Sequence, residues 1–201
     1  DCTLRVIEMI KLGVIGSTNG TDLQFIIDAI KSKKVDAQVA IVISNKRKSY
    51  ILERARINEI PSIYISHVNK KREDFDSEIS VVLRKYDVEL VLLIGFMRIL
   101  SSGFCAEWND KVLNVHPSLL PKYSGGMDAN VHEQVIKNND KETGCTIHFV
   151  TDELDAGPIL IQKKCGVDPR DTIHSLKSKV QQLEGAAFLE AIEIFNSSKR
   201  G

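Results

Sequence analysis

An asparagine and a histidine stand two positions apart at the end of an apolar run, in the stretch LNVHPSLLP (113–121). Side chains of a strand repeat every two residues, so Asn114 and His116 are expected to share one side of it. Histidine can exchange a proton near neutral pH and asparagine offers an amide donor, a combination that could polarise a carbonyl group. Pro117 would end the strand directly after His116. A histidine at a strand end can equally be structural, so the pair needs a further group to indicate catalysis.

Carboxylates follow in the loop DELDAGP (152–158), just before a later strand. A carboxylate brought against His116 would raise the pKa of its imidazole and hold it as the imidazolium ion. Asn114, protonated His116 and Asp155 around one cavity would form a site that stabilises an oxyanion during attack on a carbonyl. Calcium binding is an alternative for the same loop, but its order of residues misses the EF-hand spacing. His148, on a preceding strand, is interpreted as structural.

A glycine-bearing loop, GSTNGTD (16–22), leads from the first predicted strand into a helix. Such a loop presents backbone N–H groups and the positive end of a helix dipole to an anion. The loop does not match the G-x-G-x-x-G pattern, however, and it lacks the lysine of a P-loop. It therefore indicates either a phosphate site or a plain tight turn.

Short β-branched runs alternate with longer amphipathic stretches through the first part of the chain. They predict strands at 10–16, 37–45, 61–66, 88–96 and 111–116, with helices at 22–34, 49–59 and 73–87. Further on, the pattern predicts a helix near 128–138, strands at 144–151 and 158–167, and a final helix from about 170 to 196. This order favours the α/β class: one open, mostly parallel twisted sheet with helices on both faces, and antiparallel strands added in the C-terminal third.

Ligands of open α/β sheets bind at the carboxyl ends of the strands, where the strand order reverses. Four stretches are predicted to lie at such ends: 16–22, 95–100, 114–118 and 152–158. The candidate phosphate loop and the candidate catalytic residues should therefore meet at one edge of the sheet.

The composition is that of a globular domain, with 201 residues, 43% hydrophobic and 27% charged. Basic and acidic residues are equal at 27 each, so no nucleic-acid or membrane partner is expected. The 4 cysteines are scattered, which predicts free thiols in a reducing compartment and no metal site. We expect one domain over 9–201, with 1–8 a leader outside it. The expected location is cytoplasmic, or an organelle if 1–8 is what remains of a targeting segment.

Three longer strings, GFMRILS, LNVHPSLLPKY and GCTIHFVTDELDAGPILIQ, resemble phosphoribosylglycinamide formyltransferases, a family of folate-dependent enzymes. The similarity extends from about residue 9 to residue 195. The resemblance implies a Rossmann-like formyltransferase fold. It also implies transfer of a formyl group from 10-formyltetrahydrofolate, a cosubstrate, to the glycine amine of glycinamide ribonucleotide in purine biosynthesis, with no metal.

The resemblance also implies roles for individual residues. Asn114 would bind the formyl oxygen, His116 would donate a proton, and Asp155 would raise the pKa of His116. The nucleotide substrate would be bound by Gly20, Thr21, Asp22, Gln181 and Glu184. The folate would contact Arg72, Met97, Arg98, Ile99, Leu100, Asn114, Thr151, Asp152, Glu153, Leu154 and Asp155, with Arg72 at its anionic glutamate tail.

Two departures from the family pattern bear on the nucleotide side. The family usually reads G-S-N in the phosphate loop, whereas this chain reads Gly20, Thr21, Asp22, which puts a carboxylate where a phosphate should bind. Asp22 could instead turn inward and cap the helix that begins there. The loop at 123–132 is also longer than in the family, which leaves the substrate contacts of Met127 and Asp128 open.

Related activities remain as alternatives. The catalytic domain of methionyl-tRNA formyltransferase and formyltetrahydrofolate deformylase would share the Asn-x-His pattern and the later aspartate. The first normally carries an additional C-terminal domain and the second an N-terminal regulatory domain, and the chain is expected to have room for neither. A folate- or nucleotide-binding module without catalysis is a further alternative.

Overall fold

A seven-stranded sheet lies at the centre of the chain in a computed structural model, which describes residues 9–126 and 128–200. The strands are β1 (Ile10–Ile15), β2 (Ala37–Ser44), β3 (Ser62–Tyr64), β4 (Leu90–Leu93), β5 (Val112–His116), β6 (Glu142–Phe149) and β7 (Ile159–Gly166). The helices are α1 (Thr21–Lys31), α2 (Tyr50–Ile57), α3 (Arg72–Lys85), α4 (Ser102–Glu107), α5 (Asp128–Lys137) and α6 (Ile173–Arg200). The predicted leader at 1–8, and Met127, lie outside the described residues.

The strand order is β3-β2-β1-β4-β5-β6-β7. Strands β1 to β5 pair in parallel, and β6 and β7 continue the sheet in antiparallel pairing. The chain runs outward from β1 through β2 to β3 and then crosses to β4 on the other side of β1. The order therefore reverses between β1 and β4, which is where an open α/β sheet forms its ligand crevice. The predicted fold class is confirmed.

Helices cover both faces of the sheet because the central strands are apolar on both sides. In β4, Leu90 and Leu92 belong to the buried cluster that includes α1 and α6, whereas Val91 and Leu93 belong to the cluster that includes α3 and α4. This alternation follows the two-residue repeat of strand side chains. None of the helices in the described part of the chain has an apolar stretch long enough to cross a membrane.

The segment after β4 differs from the prediction, which extended that strand to residue 96. Gly95 has a φ of 59°, a left-handed conformation that turns the chain out of the sheet. The loop after β1 passes directly beside this turn, and a Cβ on Gly16 would lie 2.3 Å from the carbonyl oxygen of Ile94. Ser17 N–H donates to the carbonyl oxygen of Gly95 at 3.0 Å. Glycine at position 16 thus lets the two loops meet at the switch point.

Candidate active site

A cavity of about 730 Å³ opens at the carboxyl ends of the strands, between the loops that follow β1, β4 and β5. All four stretches predicted to lie at strand ends contribute to its wall, together with α6. Its lining residues are Thr18, Asn19, Gly20, Thr21, Asp22, Ile94, Gly95, Phe96, Met97, Arg98, Ile99, Asn114, Val115, His116, Pro117, Gly125, Gly126, Ala129, Asn130, Leu154, Asp155, Lys177, Gln181 and Glu184.

His116 is the last residue of β5 and lies almost entirely buried in the cavity wall, with 3% of its surface exposed. Its Nδ1 is 2.9 Å from Ser118 Oγ. Its Nε2 is 3.3 Å from Asp155 Oδ2, an electrostatic contact whose angles do not make a hydrogen bond. Within the described residues Nε2 therefore has no hydrogen-bond partner, and it is the ring atom available to a bound molecule.

Asp155 reaches His116 from the loop before β7, where its φ of 52° turns the backbone into the left-handed region. Its Oδ2 accepts a hydrogen bond from Gly125 N–H at 2.8 Å, and its Oδ1 is 3.6 Å from His148 Nε2. Burial raises the pKa of the Asp155 carboxyl, but the contacts with His148, Gly125 and His116 together outweigh it and hold the pKa below its ordinary value. Asp155 is therefore ionised at neutral pH.

The pKa of His116 departs from the expected direction. Burial, the largest influence, lowers the pKa of the imidazole below its ordinary value of 6.5, and the nearby His148 acts in the same sense. The Asp155 carboxylate raises the pKa but does not outweigh burial. Asp155 therefore acts on the pKa of His116 in the predicted sense, and that it holds His116 as an imidazolium ion stays a prediction.

Asn114 lies opposite His148 in the antiparallel pairing of β5 with β6. Asn114 Nδ2 is 3.2 Å from His148 Nε2, and His148 Nδ1 is 3.0 Å from the carbonyl oxygen of Phe149. The carbonyl oxygen of Phe149 can only accept, so Nδ1 of His148 carries a proton, and Nε2 faces both the Asn114 amide and the Asp155 carboxylate. His148 thus contacts Asn114, an association that the sequence did not indicate, and its interpretation as structural stays a prediction. The missing information was the register between the two strands.

The candidate phosphate loop also lines the cavity, at the start of α1. Gly20 occupies the N-cap position with a φ of 68°, and a Cβ there would lie 2.5 Å from Ile51. Thr21 and Asp22 are the first residues of the helix, and its N-cap residue, Gly20, has no side chain that could cap it. The prediction that Asp22 caps α1 is therefore wrong, because Asp22 follows the cap position. It is nevertheless buried, and a carboxylate in a first turn is favoured by the helix dipole.

Three side chains of α6 also line the cavity: Lys177, Gln181 and Glu184. Their spacing of four and then three residues places them on one helix face, as the resemblance implied for Gln181 and Glu184. Lys177 was not identified from the sequence, although it lies one turn before Gln181. Among the described lining residues, Lys177 and Arg98 carry the positive charges.

The residues predicted to bind folate divide into two groups. Met97, Arg98, Ile99 and Leu154 line the cavity with the catalytic candidates, and the Arg98 guanidinium lies 5.1 Å from the centroid of the Phe75 ring. The others lie outside the lining: Arg72, Leu100, Thr151, Asp152 and Glu153.

The outlying residues have other contacts in the structure. Leu100 is buried in the core with Phe75, and Ser102 Oγ donates to Asp152 at 3.1 Å. Arg72 is exposed at the start of α3, where its charge acts on the buried Asp76. Their predicted contacts with the folate stay predictions.

No three His, Cys, Asp or Glu side chains are grouped so as to hold a metal ion in the ranges that the structure covers. Cys105, Cys145 and Cys165 are free thiols. Burial raises the pKa of the Cys145 thiol to about 12, which keeps it protonated and unreactive.

A family model described as formyl transferase matches residues 10–192 of the chain. The chain belongs to the formyl transferase family. Membership is consistent with the convergence of Asn114, His116 and Asp155 on one cavity.

Individual relatives of this formyl transferase carry more specific names. The phosphoribosylglycinamide formyltransferase of Escherichia coli is 42% identical over 183 residues, which cover 90% of this chain and 85% of that protein. The Haemophilus influenzae protein of the same name is 36% identical, and the match covers 95% of this chain and 89% of that protein. The human trifunctional purine biosynthetic protein adenosine-3 is 40% identical over 93% of this chain, which spans only 18% of that protein.

Solved structures of the same class superpose closely on this formyl transferase. The phosphoribosylglycinamide formyltransferase from Coxiella burnetii, in complex with CHES, gives a TM-score of 0.89 at 38% identity, with 95% of this chain and 89% of that chain covered. Glycinamide ribonucleotide transformylase 1 from Symbiobacterium toebii gives a TM-score of 0.89 at 34% identity, and the match covers 94% of this chain and 89% of that chain. The resemblance to phosphoribosylglycinamide formyltransferases is confirmed.

Proposed function

We propose that this chain transfers the formyl group of 10-formyltetrahydrofolate to the glycine amine of glycinamide ribonucleotide, a step of purine biosynthesis. The observation that carries the proposal is the meeting of Asn114, His116 and Asp155 in one cavity that also contains the start of α1. Membership of the formyl transferase family and 42% identity to the Escherichia coli enzyme support the same activity. The cytoplasmic location and the absence of nucleic-acid or membrane partners stay predictions.

In the proposed chemistry, Nε2 of His116 is the atom that accepts and then releases the proton transferred during the reaction. The amine nitrogen attacks the formyl carbon, and the charge that develops on the formyl oxygen is stabilised by the Asn114 amide. His116 accepts the proton that the amine loses, and Asp155 at 3.3 Å stabilises the resulting imidazolium. The imidazolium then gives that proton to the folate nitrogen as its bond to the formyl carbon breaks. His116 thus acts first as a base and then as the donor that the resemblance implied.

The proposed substrate orientation follows the charges of the cavity wall. The nucleotide phosphate would lie at Gly20–Asp22, where the backbone N–H groups at the start of α1 face an anion. Gln181 and Glu184 would bind phosphate and ribose, and Lys177 would offset the negative charge of Asp22. The folate would lie along Met97 to Ile99 and Leu154. Arg72, Leu100 and Thr151 to Glu153 stay predictions, because they lie outside the lining.

The substitution Asp22→Asn tests the phosphate end. A unit-charge pair at about 5 Å in a water-like dielectric costs roughly 0.8 kcal/mol, so removing the carboxylate should lower the KM for the ribonucleotide by a few-fold. The kcat and the KM for folate should not change. Asp28→Asn is the matched control, since Asp28 carries the same charge on the same helix and is exposed away from the cavity. A rise in ribonucleotide KM on Asp22→Asn would mean that the carboxylate itself binds the ligand and would contradict a phosphate at this place.

The proposed activity is tested directly by incubating the protein with 10-formyltetrahydrofolate alone, with glycinamide ribonucleotide, and with methionyl-tRNA. We expect tetrahydrofolate to be released only when the ribonucleotide is present, together with the formylated ribonucleotide in equal amount. Release without any amine would instead indicate a deformylase, and release with the charged tRNA a methionyl-tRNA formyltransferase. Binding of folate without turnover in any mixture would indicate a binding module.

A further inference from the structure

The segment between β4 and α4 carries three of the side chains that line the cavity: Met97, Arg98 and Ile99. Residues 95–100 belong to no strand or helix, so bonds from neighbouring parts of the fold must hold them in place. Met97 is 43% exposed and Ile99 is 40% exposed, although both are apolar. Apolar side chains exposed in a cavity wall are the surface that a largely apolar ligand covers, so the position of this segment bears directly on binding.

Ser17, in the candidate phosphate loop, makes two hydrogen bonds to this segment. Its N–H donates to the carbonyl oxygen of Gly95 at 3.0 Å, and its Oγ accepts from Met97 N–H at 3.2 Å. Ser17 is 3% exposed, so its hydroxyl group is shielded from water. The next side chain packs closely on the same segment, since a Cβ on Gly95 would collide with Thr18 Oγ1. The candidate phosphate loop and the 95–100 segment are thus joined at Ser17.

The hydroxyl group of Ser17 is itself held by Asn45, the residue that follows β2. Ser17 Oγ donates to Asn45 Oδ1 at 2.6 Å, and Asn45 Nδ2 is 3.2 Å from His67 Nδ1. Asn45 is buried as well. The Met97 N–H needs a lone pair of Ser17 Oγ, and the single hydroxyl proton remains available for Asn45. The two bonds are therefore compatible, and the bond to Asn45 keeps a lone pair directed at Met97.

We propose that Ser17 is a positioning residue that holds the 95–100 segment in the place where it binds folate, and that Asn45 acts through Ser17. The nucleotide phosphate is proposed to lie at Gly20–Asp22, further along the loop that carries Ser17. Ser17 therefore connects the surfaces proposed for the two substrates. Neither the residue types nor the family resemblance assigned Ser17 or Asn45 a role. The consequence for folate rests on the proposed function, whereas the placement of the segment by Ser17 does not.

The substitution Ser17→Ala removes the acceptor of Met97 N–H and leaves the backbone bond to Gly95 in place. In the ligand-free protein, the Met97 amide should then exchange its hydrogen with solvent about tenfold faster, as measured by NMR. The KM for 10-formyltetrahydrofolate and the Kd for tetrahydrofolate should both rise about three- to tenfold, the scale of one hydrogen bond. The kcat and the KM for the ribonucleotide should change little, because the lost bond affects folate binding equally in the ground state and the transition state.

Ser80→Ala is the matched control. Ser80 is a buried serine of α3 outside the cavity lining, and its Oγ accepts from Trp108 Nε1 at 3.0 Å. The control should lower the melting temperature, since it also removes a buried hydrogen bond, but it should change neither the exchange of the Met97 amide nor the binding of folate.

A double-mutant cycle separates positioning from a general loss of stability. Asn45→Ala should raise the KM for folate by a smaller factor than Ser17→Ala, and the double variant should be no worse than Ser17→Ala, because Asn45 acts through the hydroxyl group. Fully additive effects, or a folded Ser17→Ala protein with unaltered folate binding or an unaltered Met97 amide, would overturn the inference. Should Ser17→Ala fail to fold, Asn45→Ala decides, and an unchanged Kd for tetrahydrofolate then counts against it. If the Met97 amide behaves as expected but the wild-type protein transfers no formyl group, the proposed function fails while the placement of the segment stands.

Discussion

Replacing His116 by asparagine should lower kcat by roughly 10²-fold or more, the usual loss when a general acid–base group is removed. Asparagine can place its amide nitrogen where Nδ1 of the ring now contacts Ser118 Oγ, but it has no atom where Nε2 lies. The variant therefore keeps the buried hydrogen bond and loses the atom proposed to carry the proton. Measured kcat and KM values, together with the melting temperature, separate catalysis from folding.

His116→Ala is the less informative variant, because His116 is 3% exposed and alanine would leave a cavity and remove the ring nitrogen that contacts Ser118. A loss of stability is therefore expected for alanine and should be smaller for asparagine. His174→Asn is a suitable control, since His174 is an exposed histidine near the start of α6 and outside the cavity lining. Full kcat per folded molecule in His116→Asn would show that His116 is structural.

Much of the fold could be predicted because each element carries its own periodic signal. The apolar run of β4 and the alternation before it indicate a parallel sheet, and the structure has it. The end of β4 was placed too late because residues 94–96 are as apolar as the strand, and only the left-handed φ of Gly95 turns them towards the cavity. Helix α4 (Ser102–Glu107) was not predicted, since six residues contain too little of a helical repeat.

The candidate site was predicted where local spacing was sufficient. Asn114 and His116 follow from the two-residue repeat of a strand, and Asp155 from an acidic loop at a strand end. His148 and Ser118 could not be found in this way. The contact of His148 depends on the register between β5 and β6, and that of Ser118 on the shape of a turn.

The direction of the His116 pKa was also beyond a sequence argument. A sequence can show that a carboxylate is available, but burial is a property of the assembled fold. Here the burial of the ring outweighs the charge of Asp155. A sequence also cannot show which side chains line a cavity. Arg72 and the segment from Thr151 to Glu153 have side chains that could bind a folate, but they lie outside the cavity lining.

The second large effect is expected for Asp155→Asn, which should lower kcat by about 10²-fold. The carboxylate is the main group that raises the pKa of His116 against burial, so its removal should lower that pKa further. An imidazolium formed during the reaction would then lose its neighbouring negative charge. The loss should appear in kcat with little change in the KM for the ribonucleotide, because the phosphate is proposed to lie at the start of α1 and not on the loop that carries Asp155.

An NMR titration of His116 in the Asp155→Asn protein gives the decisive measurement. Asp152→Asn is the matched control, because Asp152 carries the same charge in the same loop but contacts Ser102, and it should leave the His116 pKa unchanged. The stability of the two proteins gives an independent check. Since the folded-state pKa of Asp155 is below its ordinary value of 3.8, its carboxylate stabilises the fold above that pH and ceases to do so as the pH falls through the folded-state value. Asp155→Asn should therefore be less stable than the wild type at neutral pH, with the difference shrinking in acid. A His116 pKa that does not move on this substitution would remove Asp155 from the proposed role.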